Sequence, residues 1–373
     1  MLKPLPDYPW DQMLPFAQQA RAHPDGIVDL SIGSPVDATP PVVQTALAHA
    51  TDAHAYPQTT GTPALQRAII SWYARRRGVP GLADANVLPT IGSKELVALL
   101  PFMIGVGEGD TIVHPRAAYP TYAIGAAMAG ADAFPSDDPA EWPETTKLIW
   151  LNSPGNPDGR VLTVPALRAA VARARELGAV IVNDECYAEL GWDAPWTTEP
   201  IPSILDPRVT GGNIDNVVAI YSLSKQSNMA GYRGAFAAGG AGVLGRLLTV
   251  RKHAGLMLPA PLQAAMVAAL GDDEHVAVQR ERYRARREVL LPALVAAGFH
   301  IDNSEAGLYL WASAGVDAWD SIRQLAALGI LAGPGPFYGA FYPRHVRFSL
   351  TASDERINAA AERLRASADE ATP

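Results

Sequence analysis

Short apolar runs alternate with stretches of helical periodicity along most of this chain. Val87-Leu88-Pro89-Thr90-Ile91, Thr111-Ile112-Val113, Lys147-Leu148-Ile149-Trp150-Leu151 and Ala179-Val180-Ile181-Val182 read as strands, and Val217-Val218-Ala219-Ile220-Tyr221 reads as a buried one. Between them, Pro40 to Ala50 has the look of a helix start. Thr62-Pro63 places an N-cap before a proline at the first helical position, and Leu65, Ile69 and Trp72 follow on one apolar face. Gly92-Ser93-Lys94-Glu95 opens an apolar helix from Leu96 to Met103. Pro165 starts another, with Leu167, Val171 and Ala174 on one face and Gly178 as its stop. Strand, helix, strand between Lys147 and Val182 predicts a parallel pair joined by a right-handed crossover.

The two ends read differently. Residues 1 to about 35 are proline-rich (Pro4, Pro6, Pro9, Pro15) and aperiodic, an arm expected to pack on another subunit or domain. The arm ends in the alternating piece Val28-Asp29-Leu30-Ser31-Ile32-Gly33. From Asp272 to Glu288 interleaved charges predict a solvated connecting helix. Beyond it Leu308-Tyr309-Leu310-Trp311, Gly329-Ile330-Leu331-Ala332 and His345-Val346-Arg347-Phe348-Ser349-Leu350 read as strands of a smaller α+β domain. The expected division is 1–45 for the arm and part of the small domain, 46–285 for a large domain and 286–373 for the rest of the small one.

Composition narrows the function. With 373 residues, 48% hydrophobic and 18% charged, the chain can bury a large core in roughly two domains. A net charge of -8 argues against a nucleic-acid partner. The single Cys186 excludes an intrachain disulfide and fits a reducing cytoplasm, and the N-terminus has no apolar signal segment. The longest uncharged stretch, Ala254 to Gly271, is broken by Pro259, Pro261 and Gln263, so no membrane span is expected.

The candidate chemistry centres on Ser222-Leu223-Ser224-Lys225 with Gly231-Tyr232-Arg233. Lysine forms Schiff bases with carbonyls when its surroundings lower its pKa. Hydroxyls and an arginine fork beside it suit phosphate oxygens. Together they suggest pyridoxal 5′-phosphate (PLP). The Gly92-Ser93 turn feeds a helix N-terminus, which is an anion site. Asn156, Asp184 and Lys225 each follow the C-terminal end of a strand, where open α/β sheets bind ligands. Tyr119 stands at the mouth after another strand, and Gly33 would let backbone approach a ligand. No Gly-x-Ser-x-Gly elbow supports a hydrolase.

In order along the chain these motifs resemble the class I/II, fold-type I PLP-dependent aminotransferases. Asn152-Ser153-Pro154-Gly155-Asn156-Pro157-Asp158-Gly159 is similar to the family's Asn-Pro-x-Gly turn, with Asp158 where threonine is usual. Asp184 and Tyr187 match its Asp-x-x-Tyr. The resemblance implies an α/β fold, a mostly parallel central sheet flanked by helices, plus a smaller α+β domain. It also implies roles. Lys225 would hold PLP as a Schiff base and move a proton, Asp184 would pair with the ring nitrogen, and Tyr187 and Asn156 would hold the ring 3′-oxygen. Tyr119 would stack on the ring. Gly92, Ser93, Lys94, Ser222 and Arg233 would clamp the phosphate, joined by Tyr56 from the other subunit of a homodimer. Arg347, with Gly33 and Asn156, would grip the substrate α-carboxylate. Stretches outside the cofactor motifs, among them Pro9-Trp10-Asp11, His23 to Leu30, Asp184 to Trp192 and Arg251-Lys252-His253, are similar to the N-succinyldiaminopimelate aminotransferases of actinobacteria. That subgroup implies glutamate as amino donor and N-succinyl-2-amino-6-oxopimelate as acceptor. Another oxo acid, aromatic or dicarboxylic, or a PLP-binding regulatory domain are the alternatives. Lys94, Arg116, Arg251, Lys252 and Arg344 are the candidates for the acceptor's far carboxylates.

Overall fold

A seven-stranded sheet carries the centre of the molecule in the computed structural model, which describes Leu5, Asp7 and residues 9–371. Pro4 and Pro6 of the arm lie outside the described residues. The strands in spatial order are Val87–Ile91, Gly234–Gly239, Val217–Ser222, Val180–Asp184, Thr146–Asn152, Thr111–His114 and Asp132–Pro135. Only Gly234–Gly239 runs antiparallel to its neighbours, so six strands end at one edge. Val180–Asp184 and Val217–Ser222 are buried at every position, as strands covered on both faces must be. Helices cover both faces. Trp72, Tyr73, Tyr221 and Phe236 pack together on one side, and Tyr122, Trp150 and Leu100 belong to the core on the other.

The expected caps are present. The Thr62 hydroxyl accepts from the Leu65 amide at 3.2 Å at the head of the helix Pro63–Arg76. The helix Gly92–Met103 starts directly after the strand Val87–Ile91.

The smaller body is a four-stranded antiparallel sheet in the order Gly333–Pro334, His345–Ser349, Tyr309–Ser313, His300–Asp302. Val28–Asp29 pairs in parallel with Ile330–Leu331, tying the start of the chain to it.

Two sequence expectations are corrected. The arm is not aperiodic where described: Pro9–Met13 is a 3-10 turn leading into the helix Leu14–Arg21. Met13, Ala17 and Ala20 recur at i, i+4, i+7 and are buried, with Phe16 stacked on Trp319 at 5.8 Å. The charged helix, observed as Glu274–Ala296, is not simply solvated. Its inner face buries Gln279, Tyr283 and Arg286. Arg286 clamps Asp37 through two nitrogens at 2.7 and 2.8 Å and reaches Asp354 with its Nε at 2.6 Å. No helix among the described residues is long and apolar enough to cross a membrane.

Candidate active site

The edge where the six strands end opens into a cavity of about 350 Å³ between the two sheets. Each wall is set by local chain geometry. Asp184 is the last residue of its strand. Its Oδ1 accepts the Cys186 amide at 3.1 Å and its Oδ2 accepts the Tyr122 hydroxyl at 3.1 Å. No cation pairs with it among the described residues, and burial raises its carboxyl above the usual range.

The loop after Thr146–Asn152 is shaped by Asn152. Its Oδ1 accepts the Asn156 amide at 2.7 Å, and its Nδ2 donates to the carbonyls of Pro154 and Asp184 at 3.0 and 2.9 Å. Asn156 Oδ1 thereby faces Arg347 and accepts from its guanidinium at 2.9 Å. Asp158, the departure from the usual turn, receives the Arg160 amide at 3.2 Å. Its Oδ1 occupies the space that a Cβ at Gly155 would need.

Ser222 ends its strand and caps the one-turn helix Leu223–Gln226, accepting the Ser224 amide at 3.2 Å and donating to the Ser224 hydroxyl at 2.8 Å. That turn lifts Lys225 into the cavity, where its Nζ donates to the Gly33 carbonyl. Enclosure lowers the Lys225 pKa, with Arg347 and Arg233 adding to the effect against the opposing Tyr309 phenol. Arg347 lies 4% exposed between two aromatic faces, 3.9 Å from the Tyr309 centroid and 4.7 Å from that of Tyr338. Its second terminal nitrogen donates to the Ser31 carbonyl at 2.7 Å, and its Nε has no partner among the described residues.

The structure thus brings Gly33, Ser93, Lys94, Tyr119, Asn156, Asp184, Tyr187, Ser222, Lys225, Arg233 and Arg347 to one cavity. Gly92 adjoins it. Its φ is +74°, and a Cβ there would strike the Arg233 guanidinium. Tyr56 is apart, 93% exposed on the surface of the chain. Tyr309 and Tyr338 also line the cavity, and sequence reading passed over both. Tyr309 sits in an apolar run, and only the strand register brings it near Arg347, with Trp311 opposite Arg347 and Tyr309 opposite Ser349. Tyr122 both stacks on Trp150 at 5.1 Å and holds Asp184. Of the five cations considered for a distant carboxylate, Lys94 alone lines the cavity. Arg251 is fully buried, paired with Glu95 at 2.8 Å, and Arg116 pairs with Glu141 at 3.0 Å.

These walls fit pyridoxal 5′-phosphate. Lys94, Lys225, Arg233 and Arg347 face a single carboxylate, Asp184, so the cavity asks for a polyanion. The side-chain-free backbone at Gly92 lets the Arg233 guanidinium lie against a helix start, where a phosphate would meet both. Asp184, buried with no cation paired to it among the described residues, would be matched by a protonated ring nitrogen.

Comparison with known proteins agrees. A family model described as aminotransferase class I and II matches residues 25–364. The chain is 54% identical over 364 residues to the 4-dedimethylamino-4-oxo-anhydrotetracycline transaminase OxyQ of Streptomyces rimosus, covering 97% of this chain and 100% of that one. It is 32% identical over 384 residues to the LL-diaminopimelate aminotransferase of Desulforudis audaxviator, covering 98% and 96%. An aminotransferase crystal structure from Neisseria meningitidis superposes with a TM-score of 0.87 at 28% identity, covering 97% of each chain. The chain belongs to the class I and II aminotransferases, which are PLP-dependent and move an amino group between a donor and an oxo-acid acceptor.

Proposed function

We propose that the chain transfers the amino group of L-glutamate to N-succinyl-2-amino-6-oxopimelate, a step of diaminopimelate and lysine biosynthesis, in the cytoplasm. The observation that carries this reading is the charge of the cavity, four cations against one carboxylate. A cofactor phosphate and one α-carboxylate account for Arg233 and Arg347. Lys94 then remains for a substrate with a further carboxylate. The likeness to an LL-diaminopimelate aminotransferase supports the same substrate class.

When bound, the cofactor supplies an aldehyde that exchanges amines and a ring that acts as an electron sink. The chain's residues do the rest. Lys225 is the amine that holds it and the base that moves the proton, its pKa lowered by its enclosure. Asp184 fixes the ring proton. Asn156 and Tyr187 hold the ring oxygen, Tyr119 covers the ring, and Ser93, Ser222, Arg233 and the backbone of Gly92 and Lys94 hold the phosphate. Arg347 orients the α-carboxylate, with Gly33 beside it.

A second reading has its own support. Trp10 packs edge-on against Phe337 at 5.2 Å, and both line the cavity with Ile32, which is 54% exposed. An apolar wall of this kind, with the likeness to a transaminase named for a tetracycline ketone, favours a bulky ring ketone as acceptor. Coupled assays with glutamate separate the two. The first reading predicts a kcat/KM for the succinylated acceptor at least about 100-fold above aromatic oxo acids, a gap of ~2.7 kcal/mol in transition-state binding. Equal or better turnover of aromatic or polycyclic ketones would overturn it.

Asp184→Asn separates charge from shape. Because burial raises this carboxyl, the folded chain without cofactor binds its proton more tightly than the unfolded chain does. Its ionisation therefore opposes folding from the ordinary carboxylate pKa upward. At neutral pH the cofactor-free variant should unfold no earlier than wild type, and the difference should vanish in acid. Amino transfer should fall by more than about tenfold. An unchanged rate would place the ring-nitrogen role elsewhere.

Tyr56, exposed and outside the cavity of its own chain, is proposed to reach the phosphate of a partner subunit in a homodimer. In an isologous dimer both sites are then composite. Mixing Lys225→Ala chains with chains inactivated at Tyr56 should restore activity, because one site of each mixed dimer holds both intact residues. Verified mixed dimers that stay inactive would remove the trans role.

A further inference from the structure

We propose that Tyr309 is a positioning residue that ties the carboxylate-binding Arg347 to Tyr187 and Lys225, so that a carboxylate arriving at one end of the cavity is felt at the other. The inference rests on the reading of Arg347 as the carboxylate anchor.

Three contacts place Tyr309 at the junction. Its ring lies under the Arg347 guanidinium, the cation 3.9 Å from the centroid, while Tyr338 closes the opposite face at 4.7 Å. A planar guanidinium held between two rings keeps its orientation as well as its place. The Tyr309 hydroxyl is 3.3 Å from that of Tyr187. Its tip also fills the space a side chain at Gly33 would take, and the Gly33 carbonyl is the acceptor for Lys225. One phenol thus touches the guanidinium, the second phenol and the glycine that receives the lysine.

The electrostatics agree with this geometry. Burial raises the Tyr309 phenol, but Arg347, Lys225 and the Tyr187 hydroxyl outweigh it, leaving the group more acidic than an ordinary tyrosine. Cys186, Tyr119, Tyr283 and Tyr338 are the other titratable groups that face it. A carboxylate on Arg347 cancels the cation that makes Tyr309 acidic. Tyr309 then becomes a poorer donor toward Tyr187, and the hydrogen bond between the two phenols is free to reverse.

The test uses the cofactor-loaded enzyme and glutarate, a dicarboxylate that carries no amino or oxo group to react. The pH midpoint of the bound cofactor's visible absorption is measured with and without saturating glutarate, in wild type, Tyr309→Phe and Tyr309→Leu. The Phe variant keeps the ring and loses the hydroxyl. It should bind glutarate within about twofold of wild type, yet the glutarate-induced displacement of the midpoint should fall by about half or more. The Leu variant should bind glutarate ~5–30-fold more weakly, the loss a desolvated cation–π contact carries. If Leu fails to fold, the Phe comparison still decides. A Phe variant with the full wild-type displacement overturns the coupling while leaving the anchor in place. A wild-type midpoint that does not respond to glutarate removes the anchor reading and the coupling with it.

Discussion

Arg347 imposes the constraint on which the rest of this molecule depends. A guanidinium 4% exposed costs several kcal/mol unless its donors and faces are satisfied. Here the partners come from distant parts of the chain: Asn156 from the loop after a large-sheet strand, the Ser31 carbonyl from the strap of residues 30–37 that follows Val28–Asp29, Tyr309 from the small sheet and Tyr338 from the turn Gly335–Tyr338. Those partners are neutral, so the positive charge is held but left uncancelled. Lys225 stands in the same cavity, where burial lowers its pKa and the Arg347 charge adds to the effect. The fold therefore assembles a site whose unmet electrostatic need is an anionic ligand, and it meets the burial cost with backbone carbonyls and aromatic faces.

The same logic explains the long helix Glu274–Ala296. At helical spacing it presents His275, Gln279, Tyr283 and Arg286 to the site's back wall. His275 meets the Ser227 hydroxyl at 2.8 Å, Gln279 accepts from Asn228 at 2.8 Å, and Tyr283 lies 3.5 Å from the Lys225 carbonyl. Gln279 and Arg286 then hold Asp37 on the strap that carries Gly33. The turn bearing the lysine and the strap bearing its acceptor are thus fixed to one rigid rod, which sets where the amine stands.

How much of this could be read beforehand follows from which interactions are local. Strand ends, the Thr62 cap, the Gly92 helix start and the Ser222 turn are determined within a few residues, so the sequence displays them. Lys225, Asp184 and Asn156 meet because those strand ends share one edge, which the strand–helix–strand alternation implies, whereas Arg347 comes from mid-strand in the small sheet. Non-local facts stayed hidden. Tyr309 needs the register against Arg347. Arg251 offered itself as a free cation until Glu95 took it. Arg286 looked solvated because interleaved acids gave the helix a charged sequence, yet its partner Asp37 is 249 residues away. Gly234–Gly239, small and alternating only weakly, gave no strand signal, although it is the antiparallel member that sets Val87–Ile91 beside the lysine strand.

The most direct measurement takes the purified protein as it comes, records its visible spectrum, reduces it with borohydride and maps the labelled peptide. The account predicts absorbance near the visible edge that borohydride removes, with one cofactor per chain fixed to Lys225. A chain reconstituted with PLP that shows no such band, or one labelled at another lysine while Lys225 stays free, would contradict it.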